Sequence, residues 1–367
     1  MKDGLGEAAV DRIIHALQSA GAGFSAGAFR RDCVSILNQL ELKDRVRHII
    51  TVMGVHLPSS FPETADILGL VREHWQEHEN DKQLQVFAAW PIIDYVAEYG
   101  LNHPDIALPL LRHLTPMFSA EFAIRSFLEV HNEQTYNQML LWCMDPDEHV
   151  RRLASEGIRP RLPWGRHLPQ YIANPGPVIA LLENLKDDPS DYVRRSVANN
   201  LNDISKDHPE LVIETCESWM SEKVAARQWI IRHATRSLVK DGHPLVFALL
   251  GFTRSPKLDV SPPELSTRHL LLGESLTIST RIISRSQQQQ HVVIDYIVHY
   301  MRSHGKTTAK VFKWKNLRLK PGQAVILEKS HPFKKITTRR HYPGQHRIEI
   351  LVNGKACAAT DFELHIA

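Results

Sequence analysis

One pattern occurs twice between Asp145 and Asp203, and it restricts the fold more than any other stretch of the chain. It reads DPDEHVRRLASEG and then DPSDYVRRSVANNLND, with an offset of 43 residues from Asp145 to Asp188 and from Val150 to Val193. Each copy opens with Asp-Pro, which predicts an N-cap followed by a proline at the first helical position. An acid follows two residues later (Glu148, Asp191), where the helix dipole favours it. In the second copy Val193, Val197, Leu201 and Ile204 form one apolar stripe at 100° per residue, and Arg195, Asn199 and Asp203 lie opposite. The matching polar side of the first copy carries Arg152, Glu156 and Arg159. A weaker third copy, WIIRHATRSL, places Arg232 and Arg236 at the same positions.

Helical repeats of roughly 40 residues predict a HEAT-like solenoid, in which equivalent positions line up along one concave wall. Arg152, Arg195 and Arg232 then form a row of cations, with Glu156 standing in it where Asn199 and Arg236 are its counterparts. Two readings follow. The row is a solvated face in which Glu156 pairs with Arg152, or it is a groove whose guanidiniums meet the phosphates of a polyanion. A carboxylate weakens phosphate binding, so in the second reading Glu156 is there for chemistry.

The chain has 367 residues, 43% of them hydrophobic, enough for two or three domains with their own cores. Cys33, Cys143, Cys216 and Cys357 are far apart and include no C-x-x-C pair, which suits a reducing compartment. No run approaches the ~18 apolar residues of a membrane span, and no cleavable leader is visible. A soluble, cytoplasmic protein is expected. Charge is unevenly distributed: residues 261–367 hold 17 Lys+Arg against 7 Asp+Glu, a net +10, while residues 1–260 hold 27 against 34, a net −7. That asymmetry predicts a separate basic module.

Helical periodicity recurs at about 28–53, 62–79, 82–99, 105–114 and 119–129, and GAGFSAG at 21–27 reads as a turn. The Pro- and Ser-rich TRSPKLDVSPPELS (253–266) marks a boundary, after which apolar residues alternate with polar ones. Strands are predicted around Leu276, Ile278 and Thr280 and at 291–301, 309–319, 323–329, 346–354 and 360–366, with turns at Pro321-Gly322, Pro343-Gly344 and Asn353-Gly354. The expected architecture is mainly α: a helical solenoid over 1–255, a linker at 256–266, and a small Ig-like β-sandwich over 267–367. Its basic residues include Lys306, Lys310, Lys313, Lys315, Lys334, Lys335, Arg339 and Arg340, a set suited to nucleic acid.

No nucleophile elbow, phosphate-binding loop or zincin motif appears. His74 and His78 stand at i, i+4 but find no third ligand, so neither a metal nor a cofactor is expected. Glu121, Glu156 and Asp203 are the carboxylates that stand out. Alternative roles are a dipole partner or a mate for Arg125 in the case of Glu121, and helix-end solvation near Lys206 for Asp203. RPRLPWGRH (159–167) sets Trp164 among prolines and Arg159, Arg161 and Arg166, either as packing or as a π-face for a cation or base.

RRLASEGIRPRLPWG, SDYVRRSVANNLNDISKDHP and the preceding SAEFAIRSFL resemble the HEAT-like alkylpurine DNA glycosylases of the AlkC/AlkD superfamily, most closely the AlkC branch. The resemblance is dense over about 119–240 and extends to the C-terminal sandwich that some AlkC-type members carry. It implies excision of cationic alkylated bases, 3-methyladenine and 3-methylcytosine, from double-stranded DNA. It also implies that Glu156 is the carboxylate beside the lesion's sugar, that Glu121 and Asp203 are further acids at the lesion, and that Trp164 is a lesion contact. DNA binding is expected from Arg152, Arg159, Arg161, Arg194, Arg195, Arg232 and Arg236 and from the basic residues of the sandwich. Such an enzyme works as a monomer with no obligate protein partner. The rival readings are a non-catalytic helical scaffold and a DNA-binding sensor of alkylation damage.

Overall fold

A computed structural model describes residues 2–75, 85–220, 222, 224–335 and 340–366. The chain falls into two compact units, Met1–Asp207 with Val224–Ala234, and His208–Lys223 with Thr235–Ala367. Among the described residues it holds sixteen α-helices and nine strands.

The first unit is helical. The long pattern expected over 28–53 is divided into Ala26–Leu37 and Leu42–His56. Ser25 caps the first of these by accepting from the Ala28 amide. The segment expected to be helical from 119 instead begins as a turn, and the helix runs Ile124–Val130.

Both repeat helices form, but their caps lie two residues later than expected. Asp147 caps Glu148–Gly157 by accepting from the His149 amide, and Ser190 caps Asp191–Ile204 by accepting from the Tyr192 amide. The Asp-Pro aspartates do a different job. Asp145 accepts from the Asp147 amide at 2.9 Å, and Asp188 accepts from the Ser190 amide at 2.9 Å. Each folds the approach to the cap, and each also takes an arginine from a helix three elements earlier in the chain. Arg112 Nε reaches Asp145 at 2.6 Å, and Arg151 Nε reaches Asp188 at 2.7 Å. The periodicity therefore records a ladder in which one repeat's arginine holds the next repeat's entry turn.

The stripe Val193, Val197, Leu201 and Ile204 is buried as expected. Asp191–Ile204 packs against both Glu148–Gly157 and Ala225–Ala234. The third copy is not one helix: it breaks at Thr235 into Ala225–Ala234 and Arg236–Lys240. Arg232 and Arg236 thus sit on different helices.

In the second unit the strands are β1 (Leu258–Val260), β2 (Glu264–Leu265), β3 (His269–Leu271), β4 (Ser275–Ser284), β5 (Gln290–Met301), β6 (Thr307–Leu319), β7 (Ala324–Pro332), β8 (Gly344–Val352) and β9 (Lys355–His365). One sheet pairs β4 with β7 along one edge and with β1 and β2 along the other. The second sheet has the order β3-β9-β8-β5-β6. Inward residues of both sheets, including Ile278, Ile282, Tyr296, Val298, Leu327, Ile348 and Phe362, share one core.

Within 256–266, expected as a linker, Leu258–Val260 and Glu264–Leu265 instead pair as strands of the sheet. Leu258 and Val260 pack on the sandwich core, and this apolar edge pairs with β4. The last helices also belong with the sandwich. Ile213, Leu238, Val246 and Phe247 form a small core with Val293 of β5. The Asn353-Gly354 turn docks there: Asn353 donates to Thr253 O and accepts from the Val293 amide, both at 2.8 Å. Gly354, at φ 74°, lies so close to Gly242 that a Cβ would come within 2.2 Å of Gly242 Cα. Glycine is required on steric grounds at that crossing.

Candidate active site

The C-terminal half of Glu148–Gly157 carries Glu156 into the interior, where only 5% of the residue is exposed. Burying a carboxylate is costly unless its oxygens are satisfied. Glu156 Oε1 accepts from Arg159 Nη1 at 2.5 Å and Oε2 accepts from Ser196 Oγ at 2.5 Å. Arg152 Nη2 approaches Oε1 at 3.5 Å. Arg152 also donates to Glu121 and, at 2.7 Å, to Ser119 Oγ. Arg159 donates through Nε to Asp203 Oδ2 at 2.8 Å, and Lys206 donates to Asp203 Oδ1 at 2.9 Å.

Acids and bases thus alternate along one chain that is buried at its centre and opens to solvent at Lys206: Glu121, Arg152, Glu156, Arg159, Asp203, Lys206. Burial disfavours the charge of Arg152, but Glu121 and Glu156 outweigh it and hold that guanidinium above its ordinary value. Arg159 is treated the same way by Glu156 and Asp203. Arg152 additionally lies over the Tyr192 ring at 5.0 Å.

This arrangement corrects three expectations. Arg152, half-buried, and Arg159, buried, are expected to face phosphates but lie between carboxylates whose charge they compensate. Asp203, considered as a solvated helix end, is buried because Arg159 draws it inward. Glu121 pairs with Arg152 rather than Arg125. Arg125 is fully buried and donates to Gly157 O at 2.8 Å and Arg166 O at 2.7 Å, tying the end of the Glu156 helix to the following loop. Burial pushes its guanidinium down to about 10.

Trp164 stands on that loop. Its backbone adopts φ 65°, unusual for a residue with a side chain, and the residue is 52% exposed. Lys43 Nζ donates to its carbonyl at 2.6 Å. A left-handed, non-glycine residue costs on the order of 1–3 kcal/mol, so an exposed tryptophan held there marks a site worth testing for function. Trp164, Glu121 and Glu156 line one open pocket of about 270 Å³, with Arg159 beside them and Asp203 attached through Arg159.

The rest of that pocket was not anticipated from sequence. Phe87, Trp90, Phe118 and Phe122 line it, and Trp90 stacks on Phe118 at 5.4 Å and on Phe122 at 5.0 Å. Aromatic residues flank Glu121 in MFSAEF, the one signal that pointed there. Trp90 Nε1 donates to Asp94 Oδ2 at 2.7 Å. Burial raises the Asp94 carboxyl to about 7, against the opposing pull of that hydrogen bond and of Arg166. A second pocket of about 390 Å³ shares Trp90, Phe122 and Trp164 and adds Lys43, Arg47 and Arg166.

Other expected residues are dispersed. Arg161 pairs with Asp207 at 2.8 Å, and Arg194 pairs with Asp191. Arg195 and Arg232 are exposed, and Arg236 is half-buried. In the sandwich, Lys306, Lys310, Lys313, Lys315, Lys334 and Lys335 are exposed, the middle three of β6 lying on an edge strand. Arg340 is exposed and lies over the Tyr342 ring at 5.5 Å, while Arg339 and His78 fall outside the described residues. Among the described residues, the His/Cys/Asp/Glu group with metal-ligand spacing is His269, Glu363 and His365, away from these acids in the sequence.

What the geometry offers is carboxylates held in place by cations and lined by π-faces. Such a site stabilises a developing cation and can orient water. No helix is long and apolar enough to cross a membrane among the described residues.

Residues 59–238 match the model of the family described as DNA alkylation repair enzyme, and residues 259–366 match the C-terminal Ig-like domain of the uncharacterised protein YhaZ. The uncharacterized protein YhaZ of Bacillus subtilis (strain 168) is 34% identical over 366 residues, covering 99% of both chains. The structure of Pseudomonas fluorescens alkylpurine DNA glycosylase AlkC bound to DNA containing an abasic site analog is also 34% identical, with a TM-score of 0.90 over 99% of each chain. The chain belongs to the AlkC branch of the AlkC/AlkD superfamily of DNA alkylation repair proteins, in the form that carries a C-terminal Ig-like domain.

Proposed function

We propose that this protein is a DNA glycosylase that excises cationic N-alkylated bases, 3-methyladenine and 3-methylcytosine, from double-stranded DNA. The observation that carries the reading is the single pocket shared by Glu121, Glu156 and Trp164. An N3-alkylated base is already cationic, so its glycosidic bond is weak and the leaving base needs no general acid. What remains is to stabilise an oxocarbenium-like sugar and to place a water, work that carboxylates do in glycoside hydrolysis.

In this mechanism Glu156 is the acid beside the sugar, and Glu121 and Asp203 add negative potential through the arginines that hold them. Trp164 offers a π-face to the cationic base, worth roughly 0.5–2 kcal/mol. Neither group assists expulsion of a neutral base, so selectivity for cationic lesions follows. Arg152 and Arg159 serve as positioning groups for the acids. Phosphate contacts fall to the exposed cations, Arg195 and Arg232 in the helical unit and Lys313, Lys315, Lys334 and Lys335 in the sandwich. The helical unit is read as a HEAT-like solenoid, supported by the entry turns of Asp145 and Asp188, which stand 43 residues apart and each hold an arginine from an earlier helix.

Incubating the purified chain with N-methylated duplex DNA and chromatographing the supernatant tests the proposal. Release of free 3-methyladenine and 3-methylcytosine is expected. Salt-dependent binding with no base released would leave a damage sensor, and no DNA binding at all would leave a helical scaffold.

A further inference from the structure

β3 and β9 run parallel at the edge of the five-stranded sheet, with His269 opposite Glu363 and Leu271 opposite His365. Residues 363 and 365 share a face because side chains alternate along a strand, and 269 joins them through the pairing. Leu270 and Leu364 point the other way and are buried in the core. Two imidazoles and a carboxylate therefore meet on the outer surface of this edge.

Their separations are specific. His269 Nδ1 lies 3.3 Å from His365 Nε2. Glu363 Oε2 is 3.6 Å from His269 Nδ1 and 3.8 Å from His365 Nε2. A single N–H accounts for the 3.3 Å side of this triangle. The other two sides are too long for a hydrogen bond. A tetrahedral Zn²⁺ with nitrogen ligands at ~2.0–2.1 Å and oxygen at ~2.0–2.2 Å holds its ligand atoms about 3.3–3.5 Å apart. The three donor atoms match one face of that tetrahedron to within a few tenths of an ångström.

We propose that His269 Nδ1, His365 Nε2 and Glu363 Oε2 form a binding site for a divalent transition-metal cation, with Zn²⁺ the ion that suits a two-imidazole, one-carboxylate donor set. The side chains are 70%, 45% and 51% exposed, so a cation enters directly from solvent and water takes the fourth position. The site clamps β3, a strand of three residues, to β9 across more than 90 positions of sequence. Cross-linking such distant residues restricts the unfolded chain as well as the edge strand. The inference does not rest on the glycosylase reading.

The test is titration of ZnCl₂ into the full-length protein in competition with a chromogenic chelator. One equivalent bound at micromolar affinity or tighter is expected. His269→Ala and His365→Ala should each weaken binding at least tenfold, and Glu363→Gln should weaken it as well. CoCl₂ should give the visible absorption of a four-coordinate site in the wild type and lose it in the histidine variants. All three side chains are exposed, so the variants keep the fold, which far-UV circular dichroism verifies. Failure of the wild type to take up one equivalent would overturn the proposal. So would unchanged uptake in the three variants, since the cation would then reside among other histidines.

Discussion

Replacing Glu156 with Gln keeps the shape of the side chain and removes one negative charge from the centre of the Glu121–Arg152–Glu156–Arg159–Asp203–Lys206 chain. Three acids against three bases become two against three, so the pocket gains a net positive charge where a cationic sugar must develop. At an effective dielectric of about 20, a unit charge about 4 Å away contributes roughly 4 kcal/mol. At about 1.4 kcal/mol per decade this corresponds to a rate loss of roughly 10²–10³, the size seen when one preorganised electrostatic group is removed elsewhere. Folding should suffer less. Arg159 keeps Asp203 and Arg152 keeps Glu121, so neither cation is stranded, and a loss of about 1–3 kcal/mol is expected. Single-turnover release of 3-methyladenine from methylated duplex, with enzyme in excess, isolates the chemical step. Anisotropy with a labelled duplex should show binding equal to or tighter than wild type, because a charge repelling phosphate has gone. A folded variant excising within about threefold of the wild-type rate would refute the assignment of Glu156.

Trp164→Gly relieves the left-handed backbone while removing the indole; stability should hold or rise by about 1 kcal/mol, and excision should fall roughly 3- to 30-fold, measured by melting and base release. Asp94 binds its proton more tightly in the folded state, so its own contribution to stability should decline as pH rises from about 4 to about 7. Asp94→Asn should remove that contribution, so the stability of wild type relative to the variant should fall by on the order of 1–3 kcal/mol between the two ends of the window, read by denaturant titration. Lys313→Gln with Lys315→Gln should lower the slope of log affinity against log salt by up to about 2 units, with single-turnover excision at saturating enzyme unchanged.

Much of this arrangement was written in the chain. The 43-residue offset exposes the repeat because Asp145 and Asp188 each fold the entry turn of a helix and each hold an arginine from an earlier helix. Alternation identified the six longer strands, β4 to β9, since β5, β8 and β9 each bury one face on the sandwich core. Other features depend on tertiary contact. Whether Arg152 faces solvent or a carboxylate is decided by Glu121, which lies 31 residues earlier and in a turn rather than a helix. The aromatic lining combines residues from 87–90 and 118–122 that periodicity assigns to separate elements. β1 and β2 lie in a Pro- and Ser-rich stretch whose composition signals a linker, yet β4 offers them an edge to pair with.

The path of the backbone between the two units has a practical result. It leaves the first at Asp207, returns at Val224 and departs again after Ala234, so three crossings join them. A protease nick or a stop codon anywhere near 255 cannot hand back two self-sufficient halves. It would strip Ile213, Leu238, Val246 and Phe247 of Val293 and leave an oily scar on the N-terminal fragment. Dissecting the sandwich's contribution therefore calls for substitutions at its surface, and gene fusions or splits of this protein should be placed at its termini.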